Sequence, residues 1–255
     1  MVFLDPVLNP VLQPLLNMSP LLTVVVLALF ISLVITLSYK FLTNQSQMKE
    51  LKEKQKGFQK KMKELRSDPG EMMKMQKEAM SANMEYMKHS LKPTLITMLP
   101  IILIFGWMTA HLSFEPIYPG EPYSITAEFT DGVTGQAELV VDEGTELLSE
   151  TKQDINSAVT WNLKSEEGAH LLTVKHGDNE QQKKVLITTE LEYEQAISVY
   201  PHSSIEKVTV NYNKLKPLGP TFTVPLFNWQ PGWLGLYLIL SIVFSLALRK
   251  WLNIY

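Results

Sequence analysis

The stretch "PLLTVVVLALFISLVITLSYKF", Pro20–Phe41, carries no charge before Lys40, and its length decides the fold. A helix rises about 1.5 Å per residue and the hydrocarbon core of a bilayer is about 30 Å thick, so a run of about 20 apolar residues is what a crossing needs. Two further runs meet the same condition: "PTLITMLPIILIFGWMTAHLSF", Pro93–Phe114, and "GWLGLYLILSIVFSLAL", Gly232–Leu248, which "RKW" stops. A cleaved signal peptide would open on basic residues and carry a shorter apolar run. This chain opens "MVFLDPVLNPVLQPLLNMSP", with Asp5 and four prolines, so the first run reads as a retained span behind an interfacial segment, residues 1–19. The averages conceal this architecture. With 255 residues, a net charge of −3 and 45% hydrophobic residues, the whole chain has the composition of an ordinary soluble protein, because the apolar residues are pooled in blocks.

Charge orients the spans, since Lys and Arg near membrane ends stay on the cytoplasmic side. From Lys40 to Lys92 there are 13 Lys/Arg against 7 Asp/Glu, whereas Phe114–Gln230 holds 8 against 18. The expected protein is therefore multi-pass in the cell membrane, with its N-terminus outside and its C-terminus in the cytoplasm. Its expected segments are a first span at 20–42, a cytoplasmic hairpin at 43–91, a second span at 92–114, an extracellular β domain at 115–225, a linker at 226–231, a third span at 232–249 and a tail at 250–255. Lys40, Arg249 and Lys250 are the basic residues at the cytoplasmic ends of the spans. The absence of cysteine excludes a disulfide framework for the outer region.

That region alternates polar and apolar residues in seven short runs, "YSITAEF", "GQAELVV", "AVTWNL", "HLLTVKH", "KKVLITT", "AISVY" and "KVTVNYN", separated by turn-rich pieces. Seven short strands in about 100 residues point to an immunoglobulin-like β-sandwich with Trp161 as a core residue. Five strands with a helix is a compatible alternative. "HGDN", His176–Asn179, lies between two strand patterns and reads as a hairpin turn rather than a catalytic loop. The chain has no P-loop, nucleophile elbow, HExxH or cysteine, and its five histidines are scattered, so no enzymatic activity, cofactor or metal site is expected.

Between the first two spans runs "QMKELKEKQKGFQKKMKELRSDPGEMMKMQKEAMSANMEYMKHS", Gln47–Ser90, with eight methionines. Met48, Leu51, Gln55, Phe58, Met62 and Leu65 recur at spacings of three and four, one stripe of a helix, with lysines on the other faces. At "SDPGE" Asp68 can cap, Pro69 suits the first helical position and Glu71 stands three after the cap, so a second helix should begin there. Its stripe reads Met73, Gln76, Met80, Asn83 and Met87, and it runs directly into the second span. A helical hairpin, packed as a coiled coil, follows. Such stripes can serve packing alone, but Met72, Met75 and Met84 lie off the stripe, and Gln55, Gln76 and Asn83 lie on it, where a pure seam would favour leucine or branched residues. Methionine is unbranched and polarizable and fits apolar helices of many shapes. Binding of variable hydrophobic segments is what this chemistry permits, with Met48, Met62, Met72, Met73, Met75, Met80, Met84 and Met87 as the candidate contacts. The lysines suit anionic lipid headgroups and equally the phosphates of ribosomal RNA, so membrane lipids and a ribosome are both candidate partners.

Three spans with the N-terminus outside, a basic methionine-rich hairpin, "RSDPGEMMK" before the second span, "MLPIILIFGWM" within it and "GWLGLYLILSIVFSLALRK" as the third together resemble the archaeal YidC-like proteins. These belong to the Oxa-type insertase superfamily, alongside the insertase subunit of the eukaryotic endoplasmic reticulum membrane complex. The resemblance covers all but the outer domain. It implies a membrane protein insertase, whose partners are nascent membrane-protein clients and, in some assemblies, further membrane subunits. Insertion of that kind moves a short polar flank across the bilayer, and a charge at the bilayer centre costs about 2.5–3.5 kcal/mol on insertion scales. Three spans cannot close a pore, but they can hold a hydrated groove. Its candidate lining is Thr36, Ser38, Asn44 and Gln45 at the first span, Thr94 and Thr97 on the second, and Ser241 and Ser245 on the third. Ser and Thr in spans also serve ordinary helix–helix hydrogen bonding. Superfamily members often place an arginine in the groove; here no span interior carries a charge, so the groove is expected to work by hydration and thinning. Two other classes fit parts of the chain: a membrane-anchored adhesion or scaffold protein, which needs neither three spans nor the hairpin, and a small oligomeric channel, for which no ring of acids or selectivity loop is visible.

Overall fold

The computed structural model describes residues 5–65, 69–225 and 228–254. Asp68, the expected helix cap, lies outside them. The described chain forms α1 (Asp5–Leu16), α2 (Pro20–Leu42), α3 (Gln45–Glu64), α4 (Pro69–Leu112), nine strands and α5 (Trp233–Trp251). Among the described residues three helices are long and apolar enough to cross a membrane: Pro20–Leu42 with mean hydropathy 2.8, Gly70–Leu112 with 1.9 and Trp233–Trp251 with 1.6. By packing, the chain divides into two units, residues 21–105 with 234–255 and residues 1–20 with 106–233.

The first unit holds the hairpin and most of the spans. Asn44 starts α3 by accepting the backbone N–H groups of Ser46 and Gln47 at 3.1 and 3.3 Å, which satisfies donors that a helix N-terminus leaves without partners. The second arm of the hairpin and the second span are a single helix, the 44 residues of α4. Pro93 and Pro100 lie inside it. Each lacks an N–H and crowds the preceding turn, so α4 is weakest over this stretch.

The second unit opens with α1, a 12-residue helix with Pro10 and Pro14 in its interior. Leu12 and Leu16 are buried, and Asn9 Oδ1 accepts from the fully buried Trp107 indole N–H at 2.8 Å. Val7 and Val11, on the other face, are 70% and 71% exposed, an apolar surface that suits the interfacial role expected of this segment.

The strands are β1 (Pro122–Phe129), β2 (Gln136–Val140), β3 (Thr145–Leu147), β4 (Lys152–Asp154), β5 (Ala158–Ser165), β6 (Gly168–His176), β7 (Asn179–Ile187), β8 (Ile197–Val199) and β9 (Ile205–Val210). They form two antiparallel sheets, β3-β5-β1-β9-β8 and β4-β2-β6-β7, around a shared core. Period-two alternation turns Ile125, Ala127 and Phe129 of β1 inward with Trp161 and Leu163 of β5 and with Leu172, Val174, Val185 and Ile187 of the other sheet. Trp161 is fully buried and donates its indole N–H to the Thr151 carbonyl at 3.2 Å. His176 pairs with Asn179, leaving Gly177 and Asp178 as a two-residue hairpin loop. Gly177 has φ 57, the conformation that the first central position of a II′ turn demands. The seven expected runs are therefore joined by two three-residue strands, β3 and β4. The chain enters and leaves this domain side by side: Phe114 bridges Lys214, Glu115 N–H donates to the Asn213 carbonyl at 2.9 Å, and Leu215 N–H donates to the Ser113 carbonyl at 3.1 Å. Phe114, Tyr193 and Tyr212 pack as a trio with centroids 5.5 to 5.6 Å apart over this junction.

Candidate functional site

On α3, Met48 and Leu51 are buried and Gln55, Phe58, Met62 and Leu65 half-buried, so the spacing of three and four marks the face turned from solvent. Met48, with no exposed surface, packs inside this unit. On α4 the phase differs from the expected one. The sheltered face is Met75, Ala79, Ala82 and Tyr86, of which Ala82 is 8% exposed, while Met73, Met80, Met84 and Met87 stand 61%, 64%, 51% and 46% exposed. Met75, expected on the outside, is turned in. Methionines on both sides of the arm hide the period that would have marked the sheltered face. Gln55 Nε2 donates to Asn83 Oδ1 at 3.1 Å, joining the two arms through two of the polar stripe residues. An open cleft of about 470 Å³ lies beside this bond, lined by Gln55, Gln59, Met62, Gln76, Ala79, Met80 and Asn83. Its chemistry is mixed, with thioethers and amides together. On the two arms the pairs Lys54–Glu50 and Lys74–Glu71, each at 2.8 Å, are exposed and leave the surplus of positive charge in place.

Among the polar span residues, Thr36 is fully buried and Thr97 5% exposed, whereas Ser38, Ser241 and Ser245 are half-buried and Thr94 is exposed. In four of them the hydroxyl proton goes to a carbonyl of the same helix. Thr36 donates to the Ser32 carbonyl at 2.6 Å, Thr94 to Ser90 at 2.8 Å, Thr97 to Pro93 at 2.9 Å and Ser241 to Leu238 at 3.0 Å. What such a hydroxyl can still offer water or a client is its acceptor lone pairs. Asn44 and Gln45 are engaged by the backbone at the end of the span: Asn44 caps α3, and Gln45 Nε2 donates to the Tyr39 carbonyl at 3.0 Å and the Thr43 hydroxyl at 2.7 Å, tying the α2–α3 connection. Short polar side chains at a helix boundary are drawn to the orphaned backbone groups there.

Two residues that sequence reasoning passed over belong to this region. Ser32 is 2% exposed, and its hydroxyl faces the Ser241 carbonyl of α5 at 3.5 Å. Tyr39 reaches α4, where its hydroxyl lies 2.8 Å from Thr94 Oγ1, and its ring carries the Arg249 guanidinium of α5 at 5.3 Å. The signal was present, since Ser32, Thr36 and Tyr39 on α2, and Thr43 just beyond it, recur at spacings of four, three and four. Of the basic residues at the span ends, Lys40 and Lys250 are exposed, and Arg249 is half-buried with its Nε enclosed. Among the described residues no group of three or more His, Cys, Asp or Glu could hold a metal ion.

A family model for integral membrane proteins, described as EMC3/TMCO1-like, matches residues 5–137, from α1 to the start of β2 and more than half of the chain. Comparison with curated proteins and with solved structures finds no match.

Proposed function

The chain belongs to the EMC3/TMCO1-like family of integral membrane proteins, within the Oxa1/YidC/EMC insertase superfamily and so of insertase-related function, and on that premise we propose a working mechanism. The protein is an insertase of the archaeal YidC-like kind in the cell membrane, with its N-terminus and an immunoglobulin-like domain outside and its hairpin, a short coiled coil, in the cytoplasm. The hairpin receives the hydrophobic segment of a nascent client, and a hydrated groove among the three spans carries the client's short polar flank across. The observation behind this reading is the outward face of α4, where Met73, Met80, Met84 and Met87 lie about half exposed or more within a basic hairpin. Exposed methionine costs little when free and adapts to many apolar shapes when covered. The lysines hold the hairpin to anionic headgroups, or to ribosomal RNA, and partner membrane subunits complete the assembly where the three spans alone leave the groove open. No covalent chemistry is involved. The groove lowers the barrier by keeping acceptor oxygens such as those of the half-buried Ser38, Ser241 and Ser245 where a crossing flank would otherwise find only hydrocarbon.

The test is reconstitution of the purified protein in liposomes with a nascent single-span client, scored by protease protection of the client's translocated flank. Protection should depend on the protein and grow with its density in the membrane. Equal protection in protein-free liposomes would overturn the reading.

A further inference from the structure

We propose that Tyr39 is a latch that closes α2 against α4 and α5 at the end of the spans nearest the hairpin, and that it opens to admit a client. This inference rests on the insertase reading. Three observations carry it. First, one side chain of α2 engages both other spans: the Tyr39 hydroxyl meets Thr94 Oγ1 of α4 at 2.8 Å, and the Tyr39 ring lies 5.3 Å beneath the Arg249 guanidinium of α5. Thr94 has a single hydroxyl proton, and it is directed to the Ser90 carbonyl at 2.8 Å. The Tyr39 hydroxyl is therefore the donor between the two helices. Second, the bond is exposed and Arg249 Nε has no hydrogen-bond partner, its face being covered by the ring, so opening strands no buried pair. Third, α4 is weakened where the latch grips it. Pro93 deprives the His89 carbonyl of its helical donor, Pro100 does the same to Ile96, and the hydroxyls of Thr94 and Thr97 bond back to carbonyls of the preceding turn, an arrangement that bends helices. A reversible contact set beside a hinge gives two states of α4, with the open one a minor population of about 0.1–10%.

The absence of cysteine makes the test direct. In Tyr39→Cys/Thr94→Cys protein, a short reducible thiol cross-linker should hold the spans shut, lowering client insertion in liposomes at least about tenfold, and reduction should restore it. Insertion by the cross-linked protein at the reduced rate would overturn the latch while leaving the insertase reading intact. Absence of insertion by the unmodified wild type would overturn that reading instead. Opening is also read without any client. Thr97 is 5% exposed, so Thr97→Cys reports access to the interior, and adding Tyr39→Phe, which keeps the ring under Arg249 and removes the donor, should raise its alkylation rate about fivefold, the worth of one hydrogen bond. An unchanged alkylation rate would refute the latch whatever the insertion assay gives.

Discussion

Lys183 lies on the inward face of β7 with 2% of its surface exposed, and its ammonium donates to the Gln195 carbonyl and to the Ser198 hydroxyl at 2.9 Å. Removal from water pushes its pKa down to about 8, with Glu194 pulling weakly the other way. Between that value and the 10.5 of an ordinary lysine the unfolded chain holds a proton that the folded chain has released. Stability therefore rises with pH across this window, because burial of the charge is a cost borne below pH 8 and relieved above it. Thermal melts of the full-length protein in detergent should show Tm climbing from pH 8 to 9.5, and Lys183→Met should flatten the climb. A slope that survives the substitution would assign it to another group. The position of this lysine was legible in part: Lys183, Val185 and Ile187 share one face by period two, and Val185 and Ile187 are fully buried. Its partners were not legible, because they lie across β8 and the loop before it, and no local pattern encodes them.

At the scale of the element, α4 is the informative helix, since its two faces are proposed to do different work. Converting Met73, Met80, Met84 and Met87 together to Leu should leave the stability within about 0.5 kcal/mol of wild type, as exposed positions do. In the liposome assay the same change should narrow the range of client segments accepted, because leucine keeps the apolar area and loses the adaptability. Ala82→Leu, on the sheltered face, should cost about 1–3 kcal/mol by overpacking and loosen the hairpin to proteolysis. A stable Ala82→Leu protein with a destabilised methionine variant would reverse the assignment of the two faces. The three spans were legible because hydropathy over about 20 residues is a strong signal. The α3 stripe was legible because lysine marks every other face. On α4 the phase was lost, because the sheltered positions are Met75, Ala79, Ala82 and Tyr86, and methionine, apolar on both faces, blurs the periodicity. The strands β3 and β4 escaped because their three residues, "TEL" and "KQD", are mostly polar, whereas the equally short β8 carries Ile197 and Val199.

For the whole molecule, the question is whether the β domain is required for the activity proposed for the spans. The junction makes it separable by design: Phe114 and Lys214 face each other across an antiparallel bridge, and Leu215 N–H returns to the Ser113 carbonyl at 3.1 Å. Bridged residues of antiparallel strands sit about 4.5–5.5 Å apart at Cα, a gap that two or three glycines cross without strain. Replacing residues 115–213 by such a linker removes both sheets and the Tyr193 and Tyr212 packing on Phe114, and it leaves the spans, the hairpin and the Asn9–Trp107 bond with their own residues. If insertion is the work of the spans and hairpin, the shortened protein should protect neutral-flank clients in liposomes within about threefold of wild type. A membrane-anchored scaffold would lose its function with the domain and show no insertion in either form. The informative control is the Tm of the remaining helices, because loss of the aromatic trio exposes Phe114. If the helices stay folded and insertion falls to the protein-free level, the β domain takes part in translocation, and a mechanism confined to the hairpin and the groove would have to be given up.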